Sequence, residues 1–400
     1  MVFIYGPIDL GGPSFRLLRI LKGCDPSIPC VLFQAWVRQR EVAISYEAIS
    51  YVWGSPERQC QVLLNGTSFG VTKSLHEALR CLQLKDEDRV IWVDAICIDQ
   101  SNEIERGHQV RHMSDVYKEA ARVIYWLGPP SLLTDICLDG LELLQEETRQ
   151  VATRSWTKEQ WMTAWKSLKA NDPRPPEFER QGLQELLDRS WFRRVWILQE
   201  VANSQAAIVS SGKRSVSARV FGLAPFLMDV MPRSHCQGIL DMMPSSFRQS
   251  SWFSESRDLY TLLENFGGSE SSEERDLVYA LLGVSSDAVG AIQPNYQMDE
   301  QEVIRAVFHF LFRTHPDSTL GPFPPSIRML CRRLTFFNEL VLEMAATNED
   351  DGDTIVAFNL HRRPYLTISA QTLHAAARNR RRGTHILQEI LESLRTSSRE

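Results

Sequence analysis

VIWVDAICIDQSNEIERGHQVRHMSDVYKEAARVIYWLG, Val90 to Gly128, decides the fold class. It opens on an apolar run rich in Val, Ile and Trp, the pattern of a strand covered on both faces. A helix follows, with Met113, Val116, Tyr117, Ala120 and Ala121 at core spacing, and a second buried strand closes the stretch. That is a βαβ unit, its helix the crossover to a parallel neighbour. Asp94 and Asp99 interrupt the apolar run. Taking a carboxylate out of water costs several kcal/mol unless it is paired, so both belong where the strand ends rather than mid-sheet. In open α/β sheets, ligands gather at those carboxyl ends.

Three further blocks stand in order around this one: YEAISYVWG (Tyr46 to Gly54), SWFRRVWILQEVA (Ser190 to Ala202) and RDLVYALLG (Arg275 to Gly283). Together the four resemble the fungal heterokaryon incompatibility domain, the HET domain, over roughly residues 40 to 300. The resemblance implies a role in non-self recognition and programmed cell death of filamentous fungi. Composition and periodicity do not speak to that biology.

The 400 residues allow two or three domains, and 43% hydrophobic with 24% charged is the balance of an ordinary globular protein. A net charge of −6 gives no electrostatic reason to expect a nucleic-acid or anionic-membrane surface. The short basic run Arg378 to Arg382 reads as a solvated loop between helices. Eight cysteines are scattered with no CxxC spacing, no secretory leader stands at Met1 to Leu10, and no apolar run nears the ~20 residues that span a bilayer. A cytoplasmic protein with reduced thiols and no membrane span is therefore expected. No metal site is expected either, because zinc ligands usually come as close Cys or His pairs.

Residues 1–40 read as lead-in strands and 41–215 as the main α/β domain, with a helical insertion at 131–188. VLLNGTSFGVTKSLHEALRCL predicts strand, Asn65-Gly66 turn, strand, and a helix capped near Thr72 or Ser74 whose apolar face is Leu75, Ala78, Leu79 and Leu82. The insertion carries Trp156, Trp161 and Trp165, read as a small helical subcore in preference to a partner surface. SWFRRVWILQEVA predicts one amphipathic helix, and AAIVSSG a strand and turn. Residues 216–335 continue as helices, 253–283 among them, with EQEVIRAVFHFLFRT the last after a loop. Residues 336–400 hold two short helix-turn-helix repeats at a constant offset of thirty-one, pairing Ala345 with Ala376, Asn348 with Asn379 and Gly352 with Gly383.

The block order also resembles, more distantly, the Toll/interleukin-1 receptor (TIR) fold of plant immune receptors. The fold expected is thus α/β, a parallel-sheet TIR-like HET domain with a helical insertion and a helical C-terminal extension. Catalytic TIR domains cleave the nicotinamide bond of NAD with the glutamate of a W-x-x-x-E element, which Trp196 to Glu200 matches here. The resemblance nominates Glu200 as the catalytic carboxylate and Trp196, one turn away, as a stacking wall. Such cleavage builds an oxocarbenium ion that one carboxylate can stabilise or attack, and neutral nicotinamide leaves without a general acid. Asp94, Asp99 and Gln100 are then candidates for the substrate's ribose hydroxyls, Arg106, Arg193 or Arg194 for its phosphates, and Trp53 for a further substrate contact. NAD would be a substrate; no cofactor is expected, and no G-x-G-x-x-G follows a strand.

Each of these residues also has a plainer reading. Glu200 can be one member of a surface ion pair with Arg193 or Arg194, Asp94 and Asp99 can cap a helix or bond loop amides, and Trp53 and Trp126 can be core aromatics. Cys97 reads as a buried structural thiol, and His108 with His112 lacks the acidic residue of H-E-x-x-H. Two functions stay open: a death-promoting effector that cleaves NAD, and a non-enzymatic oligomerising adaptor. Either needs protein partners or self-association for recognition, since no P-loop or WD repeat array is present.

Overall fold

A computed structural model describes residues 3–36, 44–170, 172–255, 257–312, 323–349, 352–362 and 368–397. Residues 37–43, and Arg313 with Thr314 at the end of the last expected helix, lie outside the described residues. The chain divides into two compact units, Met1–Arg257 and Asp258–Glu400.

The first unit is built on one nine-stranded sheet of mixed direction. Its strands are β1 (Ser14–Ile20), β2 (Pro29–Trp36), β3 (Glu47–Tyr51), β4 (Cys60–Leu64), β5 (Thr67–Val71), β6 (Arg89–Trp92), β7 (Arg122–Trp126), β8 (Ala207–Ser211) and β9 (Arg214–Ser217). They lie in the order β5-β4-β2-β1-β6-β3-β7-β8-β9. The Val90–Gly128 stretch does form strand, helix and strand, but β6 and β7 are not neighbours. β3 lies between them, parallel to both, with Ala48 opposite Trp92 on one side and Val123 on the other. The reason is long-range: the buried residues of β3 fill the gap that the crossover spans, which local periodicity cannot report. The parallel run β6-β3-β7-β8 thereby takes, in chain order, the 2-1-3-4 arrangement of doubly wound sheets. β1, expected as lead-in, pairs antiparallel with β6 and belongs to the same sheet.

Local signals account for most of the rest. Asn65 and Gly66 both take positive φ, 49° and 78°, as a tight hairpin turn between β4 and β5 requires. Helix α1 (Lys73–Leu82) is capped by Thr72, whose side chain accepts from the Leu75 N–H, and buries Leu75, Ala78, Leu79 and Leu82. After the one-turn α2 (Asp94–Cys97) comes α3 (Glu103–Glu119), which buries Met113, Val116 and Tyr117. Ala120 is buried just beyond it, but Ala121 is exposed, because the helix has ended and Ala121 N–H already bonds Tyr46 O as the chain turns into β7.

The insertion folds as α4 (Leu132–Glu147), α5 (Lys158–Lys169) and α6 (Pro176–Leu187), around fully buried Trp161 and buried Trp165. Trp156 is half-buried, its ring 5.0 Å from that of Trp161, so the three indoles form a subcore. The expected single helix over Ser190–Ala202 is two pieces, a 3-10 turn at Ser190–Arg193 and α7 at Trp196–Asn203. Four short helices close the unit: α8 (Ala218–Phe221), α9 (Ala224–Met228), α10 (Ser234–Met242) and α11 (Trp252–Glu255).

The second unit is helical: α12 (Leu259–Phe266), α13 (Asp276–Leu282), α14 (Glu300–Phe312), α15 (Ile327–Arg332), α16 (Leu334–Thr347), α17 (Gly352–Arg362), α18 (Ala370–Arg378) and α19 (Gly383–Ser397). The repeat appears as α16–α17 stacked on α18–α19. A Cβ at Gly352 would overlap the Ala345 carbonyl oxygen, and one at Gly383 the Ala376 carbonyl oxygen, the same contact thirty-one residues on. No helix among the described residues is long and apolar enough to cross a membrane.

Candidate functional site

The parallel strands β3, β6, β7 and β8 deliver their carboxyl ends to one rim. The chain leaves β6 through Val93 and reaches Asp94, whose carboxylate accepts from the Ala95 N–H (2.8 Å) and from the Trp53 indole N–H (2.9 Å). Trp53 stands two residues beyond the end of β3 and is half-buried, so it is a partner of Asp94 rather than a core aromatic. Gln100 donates to Asp94 O at 3.0 Å, folding the 94–100 loop back on itself. Burial pushes the Asp94 carboxyl above its usual range, against the pull of Arg194 and the Trp53 N–H.

Glu200 lies in the second turn of α7, four residues after Trp196 and only 3% exposed. Burial pushes its carboxyl up to about 7, with Arg194 and hydrogen bonds from Ser50 and Tyr117 opposing the shift and the Asp94 charge adding to it. Its Oε2 has no hydrogen-bond partner among the described residues. A surface ion pair is thus the wrong description of this glutamate. Arg194, half-buried, donates to Tyr51 O from the break between the 3-10 turn and α7. That break sends consecutive side chains apart: Arg193 is exposed and donates to Asp188 O at 3.1 Å, so Arg194 alone of the two acts on Asp94 and Glu200. Tyr51 and Tyr117 complete the electrostatic cluster, their hydroxyls held far above the usual phenol range by burial.

Asp99 serves the loop. Its carboxylate accepts from Ser101 N (3.0 Å) and Ser101 Oγ (2.6 Å), ahead of the Asn102 cap of α3. Arg106 is half-buried in the first turn of α3, and Trp196 half-buried at the first position of α7. Trp53, Asp94, Gln100, Arg194 and Glu200 are therefore drawn into one neighbourhood, while Arg193 is turned away from it.

Reading the sequence did not find Ser50, Tyr51 or the hydroxyl of Tyr117, which was assigned to packing. The available signal was that a buried tyrosine needs a hydrogen-bond partner. Nor did it find the buried pair Arg16–Glu105, bonded at 2.6 and 2.9 Å with both side chains about 5% exposed. Arg16 also donates to Cys97 O (3.1 Å), and Glu105 accepts from Asp99 N (2.8 Å), so this pair pins both sides of the acidic loop. The Cys97 thiol, fully buried, is pushed up to about 12 and carries no thiolate near neutrality. His108 Nε2 lies 2.9 Å from Gly12 O, and no group of three or more His, Cys, Asp or Glu among the described residues could hold a metal ion.

A family model described as heterokaryon incompatibility protein (HET) matches residues 46–200, the span from Tyr46 to the buried glutamate. The chain is also similar to heterokaryon incompatibility protein 6, OR allele, of Neurospora crassa, at 27% identity over 351 residues. That match covers 74% of this chain and 51% of the other protein, so the chain spans about half the length of the curated relative it matches. No solved structure matches the chain.

Proposed function

We propose, on the premise that residues 46–200 are a HET domain, that this protein is an effector of heterokaryon incompatibility and programmed cell death in a filamentous fungus, and that it acts by cleaving the nicotinamide bond of NAD. The observation that carries the reading is Glu200: a buried carboxyl one turn from Trp196, with Asp94 and Arg194 in electrostatic reach. The 2-1-3-4 strand order supports a ligand at the carboxyl rim, and with it a distant likeness to the TIR fold.

In this reaction the C1′–N bond breaks, its electron pair leaves with neutral nicotinamide, and a water oxygen bonds C1′ and loses a proton. The Glu200 carboxylate faces the oxocarbenium centre, where a negative charge in a shielded site is worth far more than in water. Its position near 7 leaves a large ionised fraction at neutrality while keeping it basic enough to take the water's proton. Trp53 and Gln100 are held beside Asp94 by their bonds to it, on the side taken here for the ribose, and Arg194 acts electrostatically on both carboxylates.

The test is nicotinamide release from NAD by the purified full chain and by Glu200→Gln. Release by the wild type and a fall of about a hundredfold or more in the variant are expected; equal release by both rules out Glu200. A second reading, a non-enzymatic oligomerising module, is favoured by the same enclosure, since at 3% exposure Glu200 also works as a structural hydrogen-bond acceptor. It prevails if the oligomeric wild type releases no nicotinamide and Glu200→Gln kills a fungal host as well as the wild type.

A further inference from the structure

On the opposite face of the same sheet lies a cleft of about 340 Å³, bounded by α1, the residues after β7 and the β8–β9 turn. Tyr125 turns its ring toward Trp191, at 5.2 Å between centroids. Alternation along β7 therefore turns Trp126 to the other face, where it walls the cleft together with Arg80, Cys81, Pro129, Pro130 and Lys213. Glu200 is not part of this lining.

Three observations give the cleft a ligand chemistry. Trp126 is 2% exposed, and its indole N–H has no acceptor among the described residues. Buried donors are almost always paired, by protein or by something bound. Second, Arg80 and Lys213 both act electrostatically on Cys81, and neither pairs with a carboxylate among the described residues. The one acidic side chain in the lining, Glu77, faces Lys73 at 3.9 Å. Third, Pro129, Pro130 and the Trp126 indole give the wall an apolar side, completed by Gly23, Cys24, Cys81 and Gln83, and the volume falls within the roughly 300–1,000 Å³ usual for small-molecule sites.

We infer that this cleft binds a small aromatic carboxylate, its ring against Pro129, Pro130 and Trp126 and its anionic group at Arg80 and Lys213. The carboxylate offers acceptors to both cations at once, and charge-assisted bonds of that kind are the stronger ones. The site is separate from the proposed NAD chemistry and stands or falls without it.

The probe is 4-fluorobenzoate, followed by fluorine NMR with the full chain, with neutral 4-fluorobenzamide as comparison. Saturable benzoate binding is expected, about tenfold weaker in Arg80→Gln or Lys213→Gln, and about tenfold weaker for the amide. Both cations are exposed, so these variants keep their fold. In the nitrogen–proton spectrum the Trp126 indole resonance, identified by its loss in Trp126→Phe, shifts as benzoate is added. No saturation below about 10 mM, equal binding of amide and benzoate, or undiminished binding in the Arg80→Gln/Lys213→Gln double variant overturns the inference.

Discussion

In residues 1–257 buried ion pairs join distant segments, whereas in the repeats of residues 336–400 the tightest glycine contacts recur at a fixed offset and are steric. Arg16 reaches Glu105, Glu47 is shared by Arg89 and Arg122, and Lys169 meets Glu179 between α5 and α6. Each pair is unique to its place. In the repeats the same glycine-on-carbonyl contact occurs at Gly352 and Gly383, and Asn379 reaches back to Ala346 O (3.1 Å) and Asn348 O (2.7 Å) of the preceding unit. The difference teaches where each part is vulnerable: the repeat unit at positions where a methyl group does not fit, the sheet unit at such a position too, Gly182 against the Leu133 carbonyl oxygen, and in addition at single buried charges.

This contrast can be broken by experiment, because all ten tryptophans precede residue 258 and their fluorescence reports the sheet unit alone. The largest effect is expected from Glu105→Ala, which leaves the Arg16 guanidinium buried without its carboxylate. It lowers the stability read by tryptophan fluorescence in denaturant by about 3–5 kcal/mol. A loss under about 1 kcal/mol would mean that the pair is not what holds the acidic loop.

Next is the pH dependence set by Glu200. Its carboxyl moves from an ordinary 4.5 to about 7 on folding, so the folded state keeps its proton longer than the unfolded chain. The contribution of Glu200 to stability is then greatest below about 4.5, declines as pH rises to about 7 and is level above, a loss on the order of 3 kcal/mol. Glu200→Gln removes this decline, so the variant is more stable than the wild type at pH 8 and not at pH 4; parallel curves would contradict the raised value.

Gly383→Ala should cost about 1–3 kcal/mol, read by circular dichroism at helical wavelengths, with the tryptophan transition unmoved. A shift of that transition would show that the two units do not respond separately. Smallest is Thr72→Ala, which deprives α1 of the acceptor for Leu75 N–H and should lower the tryptophan-monitored stability by about 1 kcal/mol.

Much of the local structure was legible. The Asn65-Gly66 turn, the Thr72 cap, the four apolar residues of α1, the indole subcore and the offset of the repeats all follow from interactions within a few turns of chain. Local signals failed where the partner was remote. β3 between β6 and β7 depends on pairings across some forty to seventy-five positions, and β1 joins β6 across about seventy. The Ser190–Ala202 segment has helical periodicity throughout, yet Trp191 is drawn to Ser50 at 2.8 Å, and the chain breaks at Arg194 to allow it.

The site divides along the same line. Residue types and their order, a glutamate four places after Trp196, acids after a strand and paired arginines beside them, are properties of the chain as written. That Glu200 is enclosed and shifted to about 7, that Arg194 and not Arg193 faces it, and that Trp53 holds Asp94 are decided only when three elements meet at the rim of the sheet. Charge and hydrogen-bonding capacity belong to the residue, but the free energy of ionising it belongs to its surroundings, and those are assembled from parts of the chain that cannot sense each other until it folds.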